Sequence, residues 1–235
     1  MASKTRKPKT PNSKSPQKRA SQTDSYSPEV ADSPRARPTN DLGRRLRDLC
    51  VSWHESVHKW TNLNSLGTNV ANKLMNLQLQ DHYSDAEGTN SVSVLDDTSE
   101  SASAELQDEI VRTSQELSTI LQKMDGIVTK MESLSKNFEA AKELDKMKEA
   151  TSDQNDGKCI FKTWTVDKYC NTSNKLLAMY RKELTLKEKL FSSFTSTKDR
   201  ITLMVYLSLW LHSPYIDRDH DILLESMLVE TDLRK

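Results

Sequence analysis

The residues that could do chemistry begin with His54-Glu55-Ser56-Val57-His58. Two histidines one helical turn apart, with a glutamate beside the first, are the pattern by which zinc peptidases bind metal and activate water. The surroundings weigh against that use. Trp53 and Trp60 fall on the apolar seam of the same segment, which turns His54 and His58 toward the opposite, outward face. A catalytic zinc needs a third protein ligand in a water-restricted cleft. No His-x-x-Gly-x-x-His continuation follows; the next histidine, His82, lies past the expected helix end, and Glu87 falls in an expected linker. Two solvated histidines on an amphipathic helix are the favoured reading, with a zinc peptidase kept as the enzymatic alternative. No Ser–His–Asp or Cys–His set can be assembled from the five scattered histidines, and no glycine-rich phosphate loop exists.

Phosphorylation is the second chemistry the residues offer. Thr10, Ser15, Ser27 and Ser33 each precede a proline, and Ser15 also has Lys18 at +3, as cyclin-dependent kinases favour. Each phosphate would add nearly two negative charges to a tail of net +6. Ser84-Asp85 and Ser99-Glu100 suit acid-directed kinases, although a plain solvating segment explains them equally well. Arg44-Arg45-Leu46 holds the core of a cyclin-docking peptide, but Leu46 belongs to a helical seam and such peptides bind extended. Arg6-Lys7 and Lys18-Arg19, ten residues apart, resemble a bipartite nuclear import signal. With Tyr26 the only aromatic in the tail, import is favoured over direct nucleic-acid binding.

The elements that carry these residues are helical. Residues 1–40 are Ser, Pro, Lys and Arg with almost no aliphatics, so a disordered basic tail is expected. Residues 41–80 form an amphipathic helix: Leu42, Leu46, Leu49, Trp53, Trp60, Leu63, Val70, Leu74 and Leu77 follow a 3-4 spacing, interrupted only at Ser56 and Gly67. Asn40 or Asp41 is the expected N-cap, and Gly67 the expected kink or break. Residues 81–103, with six acids and no Lys or Arg, read as a linker. Residues 104–150 carry a long coiled-coil-like seam from Leu106 to Ala141, with Thr113 its one polar member. Residues 151–162 are a polar linker.

Residues 163–235 form a C-terminal helical module. Its first helix, 166–194, presents Leu177, Tyr180, Leu184, Phe191 and Phe194 on one face. Its second, 198–212, is apolar nearly all round and is expected to be the most buried element. Eleven residues without Gly favour a helix over a strand there, and Pro214 ends it. A third helix, 218–233, closes the chain. The fold class is therefore all-α: long amphipathic helices forming a coiled coil or helical bundle.

Bulk composition fits that class. Apolar content is 35% and mean hydropathy is -0.72, so narrow seams rather than thick cores are expected. Cys50, Cys159 and Cys170 form no CxxC pair and read as free thiols of a reducing compartment. The basic N-terminus lacks the apolar stretch of a signal peptide. The most apolar run, nine residues of eleven at 201–211, falls short of the about 20 needed to cross a bilayer, so no membrane partner is expected.

Several blocks together resemble one family. They are Trp53-His54 with Lys59-Trp60-Thr61-Asn62-Leu63-Asn64, then Phe161-Lys162-Thr163-Trp164, then the stretch from Lys175 to Leu184. Tyr206 to His212, Pro214-Tyr215 and Leu224 to Thr231 complete the set. These resemble the cyclin-dependent kinase 2-interacting protein family, strongly over 161–231 and more weakly over 46–80; the tail and acidic linker show no match. The resemblance implies a non-enzymatic nuclear adaptor without cofactor, with a cytoplasmic share. It implies as partners cyclin-dependent kinase and origin-firing kinase complexes, a checkpoint kinase partner protein, and an AAA+ ATPase with a helical co-subunit. The associated duties are large ribosomal subunit maturation and replisome maintenance. Tyr180, Leu184, Trp210 and Tyr215 are the expected partner-contact residues; the alternative is that Tyr180, Trp210 and Tyr215 are merely core, a reading at least as strong for Trp210. A homodimeric coiled coil without a fixed client is the remaining alternative.

Overall fold

A computed structural model describes residues 39–88, 97–150 and 159–234. Residues 1–38 of the expected disordered tail lie outside the described residues, as do Thr10, Ser15, Ser27, Ser33 and the paired basic clusters, while Thr39 and Asn40 already belong to a helix. Five α-helices and no strand are present among the described residues: α1 (Thr39–Gly88), α2 (Asp97–Glu149), α3 (Val166–Phe194), α4 (Arg200–His212) and α5 (Asp219–Glu230). No described helix is long and apolar enough to cross a membrane.

The interhelix pairs fix an up-and-down arrangement. Lys73 of α1 meets Glu109 of α2 at 2.5 Å, and Gln107 donates to Asp81, so α1 and α2 are antiparallel. Glu132 with Arg181, Ser135 with Ser173 and Lys142 with Asp167 set α3 antiparallel to α2. α4 and α5 then run in succession back along the groove between α1 and α3. Lys198, just ahead of α4, reaches Asp81 at 3.1 Å, while Arg47 Nε donates to the Thr231 carbonyl at 3.1 Å at the other end. The result is a four-legged bundle whose fourth leg is broken into α4 and α5. At 1.5 Å per residue, the 50 and 53 residues of α1 and α2 reach about 75–80 Å.

The core follows the seams read from the sequence. Leu46, Trp53, Trp60 and Leu74 of α1 face Leu117, Met124, Met131 and Phe138 of α2 and Tyr169, Leu176 and Phe194 of α3 within one apolar cluster. Ser56, the polar gap in the first seam, is fully buried and donates to the Ser52 carbonyl at 2.7 Å. Burying one large apolar side chain contributes roughly 1.5–3 kcal/mol, so the seams supply the stability that narrow composition would otherwise deny.

Four expectations are corrected. Gly67 neither kinks nor breaks α1. Its missing Cβ leaves room for the Trp210 indole: a Cβ there would lie 2.8 Å from Trp210 Cζ2. The acidic stretch 81–103 is only partly a linker, because α1 continues to Gly88 and α2 begins at Asp97. Asp81 is buried and accepts from Gln107 and Lys198, so partnered polar groups extend the seam where apolar periodicity stops. α1 also begins at Thr39, ahead of the expected cap.

The fourth correction concerns α4, which is not the most buried element. Only Leu203 and Trp210 are buried in it, whereas Ile201, Met204, Val205 and Leu211 are each more than half exposed. α4 packs on α1 and α3 along one side alone, so its remaining apolar faces meet solvent. Asp199 caps it, accepting from Thr202 N at 2.8 Å and from the Thr202 hydroxyl at 2.6 Å. Ser213 adopts a left-handed conformation (φ 45°, ψ 64°) immediately before Pro214, which turns the chain into α5.

Candidate partner-docking face

The corner between α4 and α5 rests on a buried charge. Lys187 of α3 is fully buried and donates to the Trp210 carbonyl at 2.7 Å and to the Ser213 hydroxyl at 3.2 Å. It pairs with the equally buried Glu183 at 2.9 Å. Two hydrogen-bond acceptors and one carboxylate thus surround the ammonium. The ammonium also lies 4.9 Å from the Trp210 ring centroid. Burial pulls the Lys187 pKa below its ordinary value, although Glu183 opposes the shift. Glu183 Oε2 in turn accepts from the Tyr215 backbone N–H at 3.1 Å. The pair therefore anchors both ends of the turn that Ser213 and Pro214 make.

Beyond the corner, the first turn of α5 docks through His220. Its Nε2 is hydrogen-bonded to the Tyr180 hydroxyl at 2.7 Å, and its Nδ1 lies 3.1 Å from Asp221. Tyr180 also meets Trp60 edge-on, with centroids 5.2 Å apart. Burial pushes the Tyr180 phenol well above its ordinary pKa, with Asp221 adding to the shift. At the far end of α5, Glu230 accepts from the backbone N–H groups of Thr163 and Trp164 and from the Thr163 hydroxyl. Burial would raise the Glu230 pKa, but these donors outweigh it and leave the carboxyl below its usual value.

These anchors turn three of the four residues expected at a partner face inward. Tyr180, Leu184 and Trp210 are core side chains, at 1%, 7% and 0% exposure, because each fills a gap between legs of the bundle. Tyr215 alone is open to solvent, at 49%. The expected outward face for both histidines of the zinc-like motif also needs correction. His58 is exposed, but His54 is half-buried in a small crevice with Val51, Leu228, Leu233 and Arg234. None of those four is a metal ligand. Among the described residues no three His, Cys, Asp or Glu side chains converge.

What α4 presents outward is a ridge without charge. Ile201, Met204, Val205 and Leu211 share the outer face of α4 around Ser208. Tyr215, Ile222 and Val229 are likewise exposed at the corner and on α5. These account for seven of the thirteen exposed large hydrophobics among the described residues, so exposed apolar surface is concentrated on this leg. Leu66, on α1 beside α4, adds to it at 45% exposure. Exposed apolar surface gathered in this way is a candidate contact face.

Sequence reasoning missed Lys187, Glu183, His220, Glu230 and the ridge itself. A signal existed for some of them. Glu183 and Lys187 stand one turn apart on the buried side of α3. A short helix apolar all round is either a core element or one covered by another molecule.

A helical bundle that displays such a ridge on its broken leg is a protein-interaction module. No protein-family model matches the chain. It is 33% identical over 189 residues to the cyclin-dependent kinase 2-interacting protein of Homo sapiens, covering 80% of this chain and 88% of that protein. The Xenopus laevis protein of the same name is 34% identical over 192 residues, with the same coverage, and that of Mus musculus is 30% identical over 191. The chain belongs to the cyclin-dependent kinase 2-interacting protein family.

Proposed function

We propose that this chain is a non-enzymatic adaptor that binds a cyclin-dependent kinase through the apolar ridge of α4 and α5. The observation that carries the reading is the run of outward Ile201, Met204, Val205 and Leu211 with no charged residue between Arg200 and His212. The names of the relatives supply the partner. In the finer form of the reading, the adaptor works in the nucleus, with a cytoplasmic share. It also serves origin-firing kinase complexes, a checkpoint kinase partner protein, and an AAA+ ATPase assembly with a helical co-subunit that acts on large ribosomal subunits and replisomes. Those duties come from the family resemblance and rest on the same need for covered apolar surface.

Calorimetric titration of the purified chain with a cyclin-dependent kinase 2–cyclin complex tests the reading. Met204 and Val205 are each about half exposed. Covering half of such a side chain contributes about 1 kcal/mol. The double variant Met204→Glu/Val205→Glu therefore weakens binding by about 2 kcal/mol from lost burial alone, roughly thirtyfold, with more from carboxylate desolvation. Its melting temperature stays near that of the parent, because both side chains face solvent. Unchanged affinity in a folded variant removes the ridge from the proposal.

A further inference from the structure

A second surface lies on α3, away from the α4 ridge. Lys175, Lys182 and Lys189 stand seven residues apart along the outer face of this helix, and none of the three makes an ion pair among the described residues. Between and beside them lie Ala178, Met179 and Leu186, the last two half-buried. The same helix face lines two adjoining recesses, of about 630 Å³ and 410 Å³, and Tyr215 from the corner stands in both. The larger recess is also lined by the acidic Asp217 and Asp219 and by Ile222 and Leu223.

We propose that this groove receives an amphipathic helix of another protein. One flank of that helix is acidic, repeats every seven residues and meets the lysine row. Its other flank is basic and meets Asp217 and Asp219, and its apolar stripe covers Met179, Leu186 and Tyr215. Two features select this occupant. A seven-residue charge repeat flanking an apolar line is the complement of a helix, whose own side chains recur every seven residues. Acidic residues lining the same recess as the lysines repel a polyphosphate backbone, so a nucleic acid is the poorer fit. The inference does not depend on the kinase reading, because the lysine row and the outer face of α4 share no residue; Tyr215 and Ile222, exposed beyond α4, are the residues that also line the groove.

The test uses the full chain and two synthetic helical peptides of three heptads with the same leucine stripe. One carries glutamates on the flank facing the lysine row and lysines on the other; its partner has the two flanks exchanged. Fluorescence anisotropy follows binding to the parent chain and to Lys175→Glu/Lys182→Glu/Lys189→Glu. The first peptide is expected to bind the parent and to lose about tenfold in the triple variant, since three exposed charge pairs are reversed. The exchanged peptide is expected to prefer the variant. Met179→Glu/Leu186→Glu, checked for helicity by circular dichroism, is expected to weaken the first peptide as well. Met204→Glu/Val205→Glu should leave peptide binding unchanged, which separates failure here from failure of the kinase proposal. Equal binding of both peptides to both chains, or displacement of the first peptide by a single-stranded RNA oligonucleotide, overturns the proposal.

Discussion

Replacing Lys187 with methionine removes the anchor of the α4–α5 corner, and the size of the effect can be worked from its partners. The side chain is 0% exposed, donates to the Trp210 carbonyl and the Ser213 hydroxyl at 2.7 and 3.2 Å, and forms an ion pair with the Glu183 carboxylate at 2.9 Å. Methionine fills nearly the same volume, so little cavity forms. The cost comes instead from Glu183, which becomes a buried carboxylate with the Tyr215 N–H as its one remaining donor. Breaking a buried pair in this way costs about 3–5 kcal/mol. For a bundle of this size that lowers the melting temperature by about 8–16 °C. The double variant Glu183→Leu/Lys187→Met removes both charges and should recover more than half of the loss, leaving the unpaired Tyr215 N–H and Trp210 carbonyl as the residue. Urea melts followed by circular dichroism measure Lys187→Met, Glu183→Leu and the double variant against the parent. A loss below about 1 kcal/mol for Lys187→Met, or a double variant that falls by the sum of the two singles, would refute a coupled buried pair.

Three further outcomes are expected. Gly67→Val pushes a branched side chain into the Trp210 indole, which already leaves only 2.8 Å for a Cβ. It should cost about 2 kcal/mol or more and red-shift tryptophan emission, whereas an unchanged melt would mean that the indole does not rest on Gly67. Burial raises the Tyr169 and Tyr180 phenols above their ordinary 10.0, so their stabilising contribution is whole below pH 10 and is lost as pH climbs above it. Spectrophotometric titration should find two of the chain's six tyrosines resisting ionisation until the fold gives way. Glu230 behaves oppositely: its lowered pKa gives stability that is present above its ordinary 4.5 and drains away as pH falls below it, and Glu230→Gln should flatten that acid limb.

The helices were legible because each long one repeats a single apolar stripe. Leu46, Trp53, Trp60 and Leu74 declare one buried face of α1 whatever covers it. The family was legible too, through blocks such as Phe161 to Trp164 and Tyr206 to His212. What periodicity could not reveal was which helix covers which. Gly67 reads as a defect until Trp210, far away in sequence, is laid upon it. Asp81 reads as linker until Gln107 and Lys198 converge on it. The side of α4 that meets water was equally hidden, since a helix apolar all round carries no mark of its inner face. For the same reason Tyr180 and Trp210 attracted attention as large aromatics, although tertiary packing turns them inward and leaves Tyr215 outside.

The most direct test of the central claim is hydrogen exchange by mass spectrometry on the full chain, alone and saturated with a cyclin-dependent kinase 2–cyclin complex. New protection confined to Arg200–His212 and Asp219–Glu230, with the middle of α2 unchanged, is the result expected if the broken leg docks the partner. Protection that appears on the outward face of α2 while α4 exchanges as in the free chain would contradict it.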